Sequence, residues 1–363
     1  MLTSRVKVLH VVHWSDGGLS KIAQYLAVPK ERNDAKIVIL EDNGGTVDST
    51  LDCHILRSTN PLSRLFRLWI IIHQFRPDVV HVHSFSPLIF AAVLLPPRSR
   101  LVRTIHNQYP HFQAKNLRSR VKRTLEAWIS RRRHVTEVCV SIDVQHSIPW
   151  TPVLRVVIEN GIDFRRVTDL AKVPLADSAR SPGVITVVAT GRLEDQKNYP
   201  LLLRSFALAH ARSTCPLRLR ILGSGSQRDE LEHLARELSI EQYTEFLGHL
   251  SNPFPYLLHA DIFASTSKYE GLSLALIEAL GLGLAAVTTR SGGATNSLDH
   301  MRDLFVVEGQ EPQRFSEALS ALIETPALRQ ELAENGMKAA RERYSLDRMV
   351  QEYNLLYQNL ING

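Results

Sequence analysis

The chain has 363 residues, 44% of them hydrophobic and 22% charged, with 18 Gly and 17 Pro, which excludes disordered, collagenous and coiled-coil architectures and fits two domains of roughly 100–200 residues each. Three cysteines, Cys53, Cys139 and Cys215, are odd in number and far apart, so neither a disulfide framework nor a CxxC metal knuckle is expected, and a reducing cytoplasm is the simplest compartment. The net charge of +6 is uneven: up to Asp163 there are 22 Lys and Arg against 13 Asp and Glu, or +9, and the remainder carries −3.

In chain order, the first strand-like run is 6–12, interrupted too soon by His13 to be the apolar part of a signal peptide. Trp14-Ser15-Asp16-Gly17-Gly18 follows, a strand-to-helix turn whose amides either approach a phosphate or simply turn tightly. Further strand-like runs at 36–40, 78–83, 101–106, 137–140 and 154–158 alternate with amphipathic segments such as 20–27 and 62–75, the rhythm of a parallel sheet with crossover helices. The most apolar stretch, 87–97, is well short of the roughly 20 residues needed to span a bilayer. His81 and His83 share a strand face and with His106 have zinc-ligand chemistry, but no carboxylate or Cys sits at a supporting spacing, so no metal is expected.

Between Arg98 and Arg133 eleven basic residues face one acid, Glu126. Such a stretch is either a solvated helix face or a surface for polyanions: nucleic acid, anionic lipid head groups or phosphorylated substrates. Leu117, Val121, Leu125, Trp128 and Ile129 recur at helical spacing, and core packing accounts for that stripe more readily than membrane contact.

After Asn160-Gly161 the run 163–182 loses periodicity and reads as a linker. Alternation then restarts at 184–190, 217–223, 243–247, 261–265 and 284–288, and helical segments close the chain at 312–323, 327–343 and 345–360. The predicted fold class is α/β: two doubly wound, Rossmann-like domains with their strand ends facing one cleft. The expected boundaries are 1–163, a linker 164–182, 183–343, and a last helix 344–363 that crosses back to the first domain.

Residues just after strands are the ones to inspect. Arg192 directly follows the first strand of the second half and Lys197 opens the next helix, so both cations can converge on one anion or form a surface salt-bridge arrangement. Gly223 and Gly225 lie in another glycine turn, where a nucleoside can come close to backbone. In Ser265-Thr266-Ser267-Lys268-Tyr269-Glu270-Gly271-Leu272-Ser273 the carboxylate Glu270 ends a loop, a helix is expected from near Gly271, and Glu278 falls two turns into it. The amides of Gly271, Leu272 and Ser273 suit a phosphate or sugar oxygen. Two carboxylates so spaced fit hydroxyl binding better than a hydrolase pair, which must flank one bond.

Gly191-Arg192-Leu193 with Lys197, the E-x7-E spacing of Glu270 and Glu278, and Asn160-Gly161-Ile162-Asp163 before the linker resemble the retaining glycosyltransferases of family 4, the group 1 glycosyltransferases with the GT-B fold. The resemblance covers nearly the whole chain and is densest in its second half. It implies that Arg192 and Lys197 hold the diphosphate of a UDP- or GDP-sugar, that Glu270 binds the sugar's hydroxyls and Glu278 the ribose, and that Gly17 and Gly18 approach the phosphate or acceptor. His106 matches a histidine that the family places beside the transferred sugar; a bond to backbone at the strand end is the plainer reading. No Asp-x-Asp is present, no cofactor or metal is implied, and the leaving phosphate takes the acceptor's proton.

The sequence departs from the family where Gly283-Leu284-Ala285-Ala286-Val287 lacks a proline and Gly292-Gly293-Ala294-Thr295-Asn296 replaces a Pro-Glu ending, which leaves donor identity open. The resemblance and the basic stretch together imply a lipid-linked or polysaccharide acceptor in bacterial cell-surface polysaccharide, lipopolysaccharide or glycolipid synthesis. They also imply cytoplasmic location with peripheral contact through 115–133 at the inner face of the membrane, and no nucleic acid. A sugar-nucleotide epimerase of the same fold and a non-catalytic nucleotide-sugar or nucleic-acid binding protein are the competing readings.

Overall fold

The computed structural model describes residues 5–15, 18–28, 33–44, 47–57, 60–83, 85–96, 98–108, 117–175 and 183–362. The chain divides into two compact units, Met1–Gly161 with Leu346–Gly363, and Ile162–Ser345.

In the first unit, β1 (Val6–Trp14), β2 (Asn33–Glu41), β3 (Cys53–Ile55), β4 (Val79–Val82), β5 (Arg100–Ile105), β6 (Thr136–Cys139) and β7 (Leu154–Val157) form a parallel sheet in the order β3-β2-β1-β4-β5-β6-β7. The strands are rich in Val and Ile because both faces are covered. Leu9, Val11, Val80, Val82 and Leu101 pack with Leu68, Leu88 and Ile129 of the helices Pro61–Phe75, Phe85–Leu94 and Leu117–Arg132. On the other face Val8, Val79 and Val102 meet Ile22 of the helix Gly18–Ala27 and Met349, Tyr353 and Tyr357 of the last helix, Leu346–Asn362. Both tyrosine rings are fully buried, each a contribution of about 2 kcal/mol that ties the chain's end to its first sheet.

The second unit has β8 (Ile185–Thr190), β9 (Leu217–Leu222), β10 (Thr244–Gly248), β11 (Ile262–Ser265), β12 (Ala285–Thr289) and β13 (Phe305–Val307), in the order β10-β9-β8-β11-β12-β13. Val187, Leu219, Ile221, Ala264 and Val287 meet Leu203 and Phe206 of the helix Tyr199–Arg212 and Phe315 and Leu319 of Pro312–Glu324. In each sheet the order reverses once, between β1 and β4 and between β8 and β11, and there an open α/β sheet leaves a crevice beyond its carboxyl strand ends.

Two features correct the sequence reading. The edge strands β3 and β13, three residues each, are too short for a periodic signal and exist because a neighbouring strand pairs with them. The expected linker 164–182 contains a helix, Phe164–Ala171, capped by the Asp163 carboxylate accepting from the Arg166 N–H at 3.0 Å. It presents only Val167 and Ala171 to the core, too few apolar positions to show periodicity; residues 176–182 lie outside the described residues. Among the described residues no helix is long and apolar enough to cross a membrane.

Candidate functional site

The loops after β8 and β11, at the second sheet's switch point, are bonded into one structure. A short 3-10 turn, Asp195–Lys197, ends at Asn198 in the left-handed region (φ 49°). Lys197 Nζ lies 2.5 Å from Glu270 Oε1. The Ser267 hydroxyl donates to the same oxygen at 2.7 Å, and the Glu270 N–H donates to the Ser291 carbonyl at 2.7 Å. The Gln196 side-chain amide donates to the Tyr269 carbonyl at 2.9 Å, and the Thr266 hydroxyl lies 3.1 and 3.0 Å from the Lys197 and Asn198 carbonyls. Glu270 is only 6% exposed. A sheltered ion pair needs such extra bonds to offset desolvation, and removing one partner leaves the other uncompensated.

Glycines set the floor of the site. Gly223, at φ 151°, lies so close to the loop after β8 that a Cβ would sit 1.8 Å from the Gly191 carbonyl oxygen; one on Gly225 would sit 2.4 Å from that of Leu193. The Ser226 N–H and hydroxyl donate to the two oxygens of Glu194 at 3.1 and 3.0 Å, and these bonds, with Arg192's charge behind them, hold that carboxyl below its usual range. The buried Tyr199 hydroxyl donates to the Gly191 carbonyl at 3.2 Å, and burial followed by the Glu270 charge pushes its pKa up. Beside this floor is an open cavity of about 240 Å³ lined by Thr190, Gly191, the exposed Arg192, Leu222, Gly223, Ser224, His249, Leu250 and Pro253. The sequence reading missed His249 and Leu250, although they follow β10 as Gly223 follows β9.

The helix bearing Glu278 starts later than expected, at Leu274 with Ser273 as its cap residue, and its first bond runs from the Ile277 N–H to the Ser273 carbonyl at 3.2 Å. Gly271 and Leu272 belong to the preceding loop, held there by Gly293 (φ 57°), where a Cβ would meet the Gly271 carbonyl oxygen at 2.3 Å. Glu278 is half-buried in the helix's second turn. In the altered motif the Thr295 hydroxyl accepts from the Ser291 and Gly292 N–H groups at 3.2 and 3.1 Å, so a side chain closes that turn.

In the first unit Gly17 lies outside the described residues and Gly18 begins the helix after β1. His106 is half-buried just beyond β5 and its Nε2 is 3.4 Å from His83 Nδ1, so its partner here is an imidazole. His83 Nε2 is 3.3 Å from His10 Nδ1. His81 is bonded at 2.7 Å to both the Tyr357 and the Thr104 hydroxyls. Burial pushes His10 and His106 down to about 3 and His81 and His83 well below the ordinary histidine value. Sequence reading missed His10, which only the register places opposite His81. The ring nitrogens of His10, His81 and His83 lie within 4.8 Å of one another, a trio different from the expected one with His106.

The helix Leu117–Arg132 reverses the expected packing. Its buried residues are Glu126, Ile129 and Ser130, with Glu126 bonded to the equally buried Arg103 at 3.3 Å. Of the stripe expected in the core, Leu117 (74% exposed), Val121 (58%) and Trp128 (60%) face outward. The acid and its arginine partner take the inward positions, and only sheet position explains that choice.

Residues 176–339 match the sequence model described as Glycosyl transferases group 1, and residues 27–166 match that of Glycosyltransferase Family 4. The chain belongs to the group 1, family 4 glycosyltransferases. This glycosyltransferase is 26% identical over 60% of its length to the lipopolysaccharide core biosynthesis glycosyltransferase LpsD of Rhizobium meliloti, spanning 62% of that protein. It is 35% identical over 48% of its length to a Campylobacter jejuni N-acetylgalactosamine-N,N'-diacetylbacillosaminyl-diphospho-undecaprenol 4-alpha-N-acetylgalactosaminyltransferase, spanning 45% of it. The chain thus matches about half the length of these relatives. Anabaena HepE, solved in complex with UDP-glucose, superimposes with a TM-score of 0.83 at 18% identity, covering 98% of this chain and 100% of that one. That likeness shows the GT-B fold.

Proposed function

We propose that this glycosyltransferase moves a sugar from a UDP- or GDP-sugar to an acceptor hydroxyl, with retention at the anomeric carbon and without a metal ion, in the synthesis of a cell-surface polysaccharide, lipopolysaccharide or glycolipid. The Lys197–Glu270 pair, 2.5 Å apart at the β8/β11 switch point, carries the reading. Arg192 and Lys197 hold the diphosphate, Glu270 accepts from the sugar's hydroxyls and Glu278 from the ribose. Backbone at Gly223, Gly225, Gly271, Leu272 and Ser273 lies against the donor. From the first unit, Gly17 and Gly18 approach the phosphate or acceptor and His106 the sugar.

The bond from the anomeric carbon to the phosphate oxygen breaks, the acceptor oxygen bonds to that carbon on the same face, and the acceptor's proton passes to the leaving phosphate. Charge develops on the departing diphosphate, so placed cations supply the main stabilisation. The UDP-glucose bound by HepE and the lipopolysaccharide role of LpsD support a nucleotide-sugar donor and a cell-surface product. The test incubates purified protein with a panel of UDP- and GDP-sugars against lipid-linked and soluble acceptors and reads the product's anomeric configuration by NMR. Full activity of Glu270→Ala or Lys197→Ala on the productive pair overturns the site assignment. An inverted product overturns retention, and activity lost to a chelator and restored by Mg²⁺ overturns metal independence.

The same reading puts the protein in the cytoplasm, in peripheral contact with anionic membrane through 115–133. The outward stripe of Leu117, Val121 and Trp128 supports it, flanked by exposed Arg118, Arg120, Arg131 and Arg132. So does the helix Pro61–Phe75 on the same face of the sheet, which exposes Leu62, Phe66 and Trp69 beside Arg67, with the Phe66 and Trp69 rings stacked at 6.0 Å. Aromatic residues between cations suit the head-group layer.

A further inference from the structure

We propose that His10 and His83 are positioning residues which, through a relay of neutral imidazoles, fix His106 as the tautomer that carries its proton on Nδ1. The parallel register brings the relay together. His10 is the partner of His81 across β1 and β4, and His81 that of Val102 across β4 and β5. The two-residue period of a strand then sets His83, Thr104 and His106 on the same face. The rings of His10 and His83 and of His83 and His106 both lie at 5.6 Å between centroids, inclined 29° and 28°, with the nitrogen contacts of 3.3 and 3.4 Å between them.

A neutral imidazole has one N–H and one lone pair, so the relay has two consistent states. In one, His10 Nδ1–H donates to His83 Nε2, His83 Nδ1–H donates to His106 Nε2, and the last proton rests on His106 Nδ1. In the other every bond is reversed and the last proton rests on His10 Nε2. His10 Nε2 and His106 Nδ1 are the two ends, and among the described residues both are buried with no hydrogen-bond partner. A buried N–H left unpaired costs more than an unpaired lone pair. His10 is fully enclosed, so the reversed state strands a donor where nothing can meet it. The forward state puts the donor on His106 at the carboxyl end of β5, where Nδ1 is covered as well but belongs to a partly exposed residue, so a sugar hydroxyl can reach it by displacing only what covers the ring.

His81 stands outside the relay because both its nitrogens are committed to hydroxyls at 2.7 Å, and Thr104 continues to the Tyr353 hydroxyl at 2.8 Å. For the same reason the His10, His81 and His83 trio does not suit a divalent ion. Binding one would break the His10–His83 contact and a short bond of His81.

The role of His106 at the sugar rests on the function proposed above; the relay does not, so the test has two arms. In the first, ¹⁵N-histidine NMR of the full chain, assigned with His106→Gln, is expected to show His106 protonated on Nδ1 in the parent and shifted to an Nε2–H mixture in His83→Ala. An Nε2–H signal in the parent, or a tautomer unchanged in His83→Ala, overturns the relay, as does a stoichiometric metal retained by the purified protein and lost in His10→Ala. In the second, with the productive donor and acceptor, His83→Ala is expected to lower kcat about tenfold at nearly constant donor KM. His83→Gln, whose amide both donates and accepts, is expected to recover most of that loss. Equal losses in both variants point to structural damage and overturn the positioning role. Unchanged activity of His106→Ala overturns the sugar contact alone and leaves the tautomer result to stand.

Discussion

The two switch points of this protein are built from opposite chemistry. Beyond β8 and β11 the second unit sets a cation against a carboxylate, Lys197 and Glu270, with glycine backbone beside them and the exposed Arg192 at an open cavity. Along β1 and β4 and just beyond β4 and β5 the first unit has neutral imidazoles, three of them buried and His106 half-buried, bonded to one another and to hydroxyls. Charges that are already oriented suit an anionic ligand and its leaving group, whereas neutral donors and acceptors in a dry setting discriminate among uncharged hydroxyls. On the function proposed above, the first chemistry suits a diphosphate and the second, at His106, a sugar hydroxyl.

If the charged site does the chemistry, its loss has the largest effect. Glu270→Ala and Lys197→Ala are each expected to lower kcat/KM by about two to three orders of magnitude in steady-state assays, and a loss below fivefold would erase the contrast between the two units. Next comes the glycine floor. Gly223→Ala sets a Cβ against the Gly191 carbonyl oxygen at 1.8 Å in a backbone conformation side chains rarely adopt, so a loss of about 3 kcal/mol or more is expected in urea melts.

The histidine face predicts a difference in acid sensitivity. Folded His10 and His106 titrate near 3 and the unfolded residues near the ordinary value of about 6.5. Between those values the unfolded chain binds more protons. Their contribution is therefore fully present above pH 6.5 and declines as pH falls towards 3, by up to about 1.4 kcal/mol per pH unit for each histidine. Thermal melts at pH 7.5 and 5 are expected to show the first unit losing stability ahead of the second, and identical shifts in both units contradict this. The smallest effect is at the outer helices: neutralising Arg131 and Arg132 costs about 1 kcal/mol each in binding to anionic vesicles at low salt, read by cosedimentation.

The same contrast explains what could be read from the sequence. In the second unit Arg192, Lys197 and Glu270 lie in the loops that follow β8 and β11, whose apolar runs are plain in the sequence, so chain order alone places these three residues at the switch point. The start of the Glu278 helix was misread because Gly271 and Leu272 are held in a loop by Gly293, a contact between distant segments. In the first unit the relay depends on register, so His10 carried no signal. The stripe of Leu117, Val121 and Trp128 was assigned inward because periodicity gives a helix its faces without saying which one meets the sheet; the buried Arg103–Glu126 pair decides it.

Hydrogen exchange of the full chain with and without saturating UDP, and then GDP, tests the central claim without knowledge of the acceptor. The account predicts protection by at least one nucleotide in the loops 191–198, 223–226 and 266–273 of the second unit, and its loss in Lys197→Ala. Protection confined to the first unit, or none with either nucleotide, would contradict it.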